Sequence, residues 1–164
     1  MRQEWHNENG TNLTLPGPWQ DEPDKVQWVD EATDLDCLLV RNHLGTWCGY
    51  VGVPPGHPWH GKSYHDITVD VHGGLTYASS CDEDALEGEG ICHIPEPGRQ
   101  ADVWWLGFDC GHAFDLAPGM LQFERERFPG EEVFERLAAS QTYRDINYAE
   151  KEVRHLAHQI AQVT

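Results

Sequence analysis

The chain has 164 residues, with 11 Lys+Arg against 28 Asp+Glu and a net charge of −17. That length suits one domain able to bury a core without disulfide or metal staples. The charge excludes the basic footprint that a phosphate backbone needs, and it disfavours an anionic membrane surface.

Residues 1–24 are polar, carry three prolines and show little periodicity, so they read as an irregular arm with Trp5 and Trp19 as pins. Residues 25–164 read as a single domain. From Cys37 to Val53 the pattern predicts a hairpin, with turn chemistry at Asn42-His43-Leu44-Gly45. Pro54-Pro55-Gly56 ends it, because proline removes a ladder donor. The segment HPWHGKSYHD (57–66) is a loop dense in histidine and aromatics. ITVDVHGGLTY (67–77) alternates with period two and predicts a strand, with Asp70 and His72 on one face.

Residues 81–100 hold six acids and two prolines and read as an exposed excursion. DVWWLGF (102–108) is apolar on both faces, the mark of a strand covered on both sides. No helix of adequate length is expected before residue 130. After it, GEEVFERLAAS (130–140) predicts a short helix. The stretch from Thr142 onward predicts a longer one, with Thr142 and Asp145 as a capping-box-like start. Ile146, Ala149, Val153, Leu156, Ala157 and Ile160 form its apolar stripe. Strands first and helices last predict an α+β fold, a mostly antiparallel sheet with the C-terminal helix packed on one face.

Cys37, Cys48, Cys81, Cys92 and Cys110 make an odd count without a CxxC pair. Nothing before Trp28 resembles a leader and no apolar run nears membrane-spanning length. The expectation is reduced thiols in a soluble cytoplasmic protein, with no membrane and no direct nucleic-acid partner.

Two stretches carry candidate chemistry. In VDVHGG, an aspartate one strand-step from His72 can fix the tautomer of the imidazole, and Gly73-Gly74 lets the backbone turn toward a ligand. In GFDCGHAFD (107–115), a helical turn from Asp109 would make Asp109 and His112 neighbours, with Asp115 one step further round. Carboxylate–histidine sets suit a divalent ion such as zinc, manganese or magnesium with positions left for water. His72, Asp109, His112 and Asp115 form the candidate ligand set, and His72, Asp109 and His112 the candidate catalytic groups.

Cys110 beside His112 admits a thiolate nucleophile instead, but their spacing suits that poorly on a strand or a helix. A third reading makes the cluster purely structural. Trp59 and Tyr64 offer stacking faces to a planar ligand, and Arg144 near a helix start is a candidate anion clamp.

The segments WCGYVGVPPGHP, VHGGLTY, WWLGFDCGHAFD and YRDINYAEKEVRHLAHQIA together resemble an uncharacterised family of small proteins from bacteriophages and some bacteria. The resemblance spans residues 46–162. It implies that His72, Gly73, Gly74, Asp109, Cys110, His112 and Asp115 act as one set, and host cytoplasm as the location if phage-encoded. It carries no established activity. Two functions stay open: a His/Asp pocket for a divalent metal or small anionic ligand, extending to metal-assisted hydrolysis, or a non-catalytic binder. The latter would sequester a nucleotide-like ligand or inhibit a host protein through its acidic surface.

Overall fold

The structure, a computed structural model, describes residues 1–6 and 12–164. Among them the chain forms one antiparallel sheet of six strands: β1 (Gln3–Trp5), β2 (Lys25–Val29), β3 (Asp36–Arg41), β4 (Trp47–Val53), β5 (Tyr77–Ser79) and β6 (Trp104–Asp109). The spatial order is β1-β2-β3-β4-β6-β5. Three helices follow: α1 (Pro118–Arg127), α2 (Glu131–Ser140) and α3 (Ile146–Ala161). The fold is α+β. No helix among the described residues is long and apolar enough to cross a membrane.

Strand alternation sorts the core into two layers. Val26, Trp28, Cys37, Leu39, Val51, Val53, Leu106 and Phe108 face α3, which answers with Ala149, Val153, Leu156, Ala157 and Ile160. Ile146 is the partly buried end of the same stripe. The helix crosses closest at Gly49, where a Cβ would lie 2.5 Å from Val153 and 2.6 Å from Phe108. On the reverse face, Leu38, Val40, Cys48, Tyr50 and Trp105 are covered by Val103, Ile91 and Tyr77. Residues 81–100 run along the surface with most side chains at least partly exposed, and are tied to the second face at Ile91 and the buried His93. Lys25 Nζ donates to the carbonyls of Glu87 and Cys92, and Gln27 exchanges two hydrogen bonds with the backbone of Ile94. Cys81 and Cys92 form a disulfide, against the expectation of five reduced thiols; Cys37, Cys48 and Cys110 are free and buried.

Three other expectations change. The arm contributes β1, paired with β2, and a single 3-10 turn that buries Trp19; residues 7–11 of the arm lie outside the described residues. Of 67–77, only Tyr77 joins the sheet. The segment before it turns at His72–Gly73 and, with Ile67 and Val71 buried, lies over α3, whose side chains take the place of a strand neighbour. Gln159 bonds both backbone groups of Asp70, and Glu152 accepts from the amide of His72. Periodicity reports which face is buried, not what pairs with the backbone.

Helix α1 was not expected, because its sequence lacks an apolar stripe; Pro118 at its first turn starts it. At α3 the cap is Asp145, whose side chain accepts from the Tyr148 amide. Thr142 instead bridges to Asp115.

Candidate metal centre

The 108–116 segment leaves β6 as an extended, non-helical turn. The expected helical turn from Asp109 does not form. Pairing with residue 142 sets its shape: Thr142 N donates to Phe114 O, and Leu116 N donates to Thr142 O, each at 2.8 Å. Phe114 is held at a φ of 75°, a costly conformation for a bulky residue, of order 1–3 kcal/mol. This backbone turns the Asp115 carboxylate inward, where its side chain is 2% exposed.

Three donors converge on that carboxylate. His72 Nε2 lies 2.6 Å from Oδ2, the His112 amide 3.1 Å from Oδ2, and Arg144 Nε 2.9 Å from Oδ1. Burial pushes the acid up, but the bonds from Arg144, His72 and His112 outweigh it and hold Asp115 below the usual aspartate value. His72 is fixed at its other nitrogen too, with Nδ1 2.8 Å from Tyr148 Oη. With Nε2–H donated to Asp115, Nδ1 accepts from the Tyr148 hydroxyl. Arg144 stacks over the Tyr148 ring, its guanidinium carbon 4.7 Å from the centroid.

His112 completes the group. Its ring sits edge-on to His72, centroids 5.5 Å apart, and packs against the backbone of Gly73. A Cβ at Gly73 would fall 2.2 Å from His112 Cε1, and its φ of 67° suits glycine, so only glycine allows this approach. His112 Nδ1 points inward, 3.9 Å from Asp115 Oδ2 and 3.7 Å from Asp109 Oδ1. The atom is buried and has no hydrogen-bond partner.

Ligand atoms of His72, His112 and Asp115 lie within 4.8 Å of one another, so the group can hold a metal ion. Tetrahedral coordination at about 2.0–2.2 Å sets such atoms roughly 3.3–3.6 Å apart. To take a zinc-sized ion, His112 Nδ1 would move slightly inward from 3.9 Å, and His72 Nε2 and Asp115 Oδ2, hydrogen-bonded at 2.6 Å, would separate by about 0.7–1 Å. Two imidazoles and one carboxylate favour zinc, manganese or iron over magnesium, which prefers all-oxygen surroundings.

Other candidates are placed differently. Asp109 is not in the compact group: it caps the turn by accepting from the Gly111 amide at 2.9 Å, and takes the Thr76 hydroxyl at 3.0 Å. Its nearest link to the group is His112 Nδ1. Asp70, expected to orient His72, is exposed and points to His155; Asp115 does that work instead. Gly74 forms the turn with a φ of 81°, and the space a Cβ would fill there is open. Arg144 meets the site by orienting a carboxylate. Cys110 is buried, and burial and then the charge of Asp115 push its thiol well above the usual range, so the nucleophile reading does not hold.

Trp59 and Tyr64 lie elsewhere. The Trp59 amide bonds His57, which reaches the carbonyl of Ile160; Tyr64 packs on His65. Ile160 and Tyr148 are twelve residues apart on α3, roughly 18 Å of helix axis. Neither aromatic ring belongs to the His72 group.

Three contributors escaped the sequence reading. Tyr148 and Glu152 share one side of α3 at i, i+4 spacing, a polar line beside the apolar stripe that was open to detection. Glu22 gave no such signal. Its Oε2 accepts from Tyr143 Oη at 2.6 Å and from Arg41 and Trp47 at 3.0 Å each, and its Oε1 accepts from the Ile146 amide at 2.9 Å. That cluster fixes the start of α3 and hence Arg144 and Tyr148. No protein-family model matches the chain, and no curated protein or solved structure matches it either.

Proposed function

We propose that this is a metal-binding protein in which His72 Nε2, His112 Nδ1 and Asp115 Oδ2 hold a divalent transition ion, zinc foremost, for metal-assisted hydrolysis. One observation carries the reading: His112 Nδ1 is buried, unpartnered and aimed between two carboxylates. A buried polar atom without a partner is costly, and a cation is the partner that two facing carboxylates would accept.

The surroundings fit that use. His72 would bind through Nε2 as the Nδ1–H tautomer, with Tyr148 Oη 2.8 Å away to accept from Nδ1, the outer-shell bond that metal-bound histidines favour. Arg144 keeps Asp115 Oδ1 occupied, which leaves Oδ2 as a single ligand atom. Three protein ligands leave a position for water, whose acidity a bound ion raises. Asp109, partly exposed with Oδ1 3.7 Å from His112 Nδ1, would be the nearby carboxylate able to act as a base.

Untagged protein dialysed against chelator and titrated with zinc by calorimetry tests the reading. One ion per chain is expected, with affinity lowered at least tenfold in His112→Ala and in His72→Ala. A stoichiometry of zero, or binding that both variants retain, overturns it.

A further inference from the structure

We propose that the open side of this centre is an oxyanion subsite, so that the ligand is a phosphate monoester carrying a flat apolar group. This rests on the metal reading above but stands on different atoms.

Arg144 supplies the first argument. It meets the protein through Nε alone, while Nη1 and Nη2 have no hydrogen-bond partner among the described residues. The other ion-paired arginines behave otherwise. Arg41 and Arg154 engage acids through their Nη atoms, and Arg99 spends all three nitrogens on Asp34 and Asp36. Among the ion-paired arginines of the described residues, only Arg144 leaves both terminal nitrogens without a carboxylate, in a chain of net charge −17. Its guanidinium is nevertheless fixed, by Asp115 along one edge and by the Tyr148 ring beneath it, with the side chain 30% exposed.

The unpaired edge is therefore preorganised beside the carboxylate that would ligate the ion. A fork of N–H donors at that spacing binds two oxygens of a planar or tetrahedral oxyanion. An oxygen bound to the ion and two bound to Arg144 describe a phosphate group.

Phe114 supplies the second argument. It stands one residue from Asp115 and two from His112, is 76% exposed, and keeps a left-handed backbone that glycine or asparagine would adopt at lower cost. A large ring held in solvent at a strained position beside a site suits contact with a ligand's apolar portion.

The test uses inorganic phosphate and phenyl phosphate as probes of full-length, zinc-loaded protein, with affinities from calorimetry. Both should bind, phenyl phosphate at least fivefold more tightly. With zinc raised to saturate each variant, Arg144→Gln should lower both probe affinities tenfold or more, whatever it costs in zinc affinity through the lost bond to Asp115. Phe114→Asn should leave phosphate affinity unchanged and abolish the preference for phenyl phosphate. If zinc binds normally and neither probe does, the subsite is wrong and the metal reading stands. If zinc does not bind but phosphate binds through Arg144, the subsite stands and the metal reading falls. Equal binding of both probes to wild type and Phe114→Asn removes the apolar wall from the proposal.

Discussion

Two histidine-bearing regions lie at opposite ends of β6. At its start, the loop 57–66 rests on Trp104, whose indole donates to Lys62 O while His60 packs on its ring. At its end, beyond Asp109, His112 meets His72 and Asp115. The loop has three histidines in nine residues, yet it does not gather them. His57 ties the Trp59 amide to α3, His60 leans on an indole, and His65 stacks on Tyr64. At the far end two histidines forty residues apart are focused on one buried carboxylate. Density along the chain gives histidines held apart on separate partners; convergence of separate elements on one carboxylate gives a site.

Asp115→Asn should separate the two ends most strongly. Removing the charge leaves the partly exposed Arg144 and His72 beside a neutral amide, and weakening these charged hydrogen bonds costs roughly 1–3 kcal/mol. Urea denaturation at pH 7 measures that loss. Because the folded acid sits below its ordinary value, its contribution is present at and above the usual aspartate range and disappears as pH falls through the folded value. The gap between wild type and variant should therefore close on acidification. A gap that persists well below that range would mean the carboxylate charge was not the stabilising element.

Metal should act on one end only. With zinc at about one hundred times its dissociation constant, wild type should gain roughly 2.7 kcal/mol. For a chain of this size that corresponds to a melting rise of about 5–10 °C. A triple variant with His57, His60 and His65 replaced by alanine should retain the whole rise, measured from its own metal-free baseline. A rise lost in that triple variant would move the binding to the loop and reverse the comparison.

The same contrast explains what could be read from the chain. The hairpin, the doubly covered β6 and the stripe of α3 follow from periodicity, because burial is what periodicity encodes. VHGG and DCGHAFD were marked by residue type and by glycine next to histidine. Why Asp115 rather than Asp109 faces His72 was not readable, because it depends on the turn set by Thr142 and Phe114. Trp59 and Tyr64 were drawn toward the site by chemistry alone, and only topology sends them to the other end. The exposure of 81–100 follows from its acidity, but its points of attachment do not, since they run through backbone carbonyls and a disulfide.

The smallest expected effect belongs to the loop. His57 Nε2 lies 3.1 Å from Ile160 O, and Nδ1 accepts the Trp59 amide at 3.0 Å, so His57→Ala removes two hydrogen bonds. Each is worth about 0.5–1.5 kcal/mol. The loss should nevertheless fall near the bottom of the combined range. Ile160 O is at the C-terminal end of α3 and also accepts from Val163, so it is not left unpaired. The Trp59 amide, in an open loop, can turn to water. A stability loss near 1 kcal/mol in urea, with zinc affinity unchanged, is the expected result. A change in zinc affinity at this distance would show that α3 transmits strain from one end of the sheet to the other, and the two ends would no longer be independent.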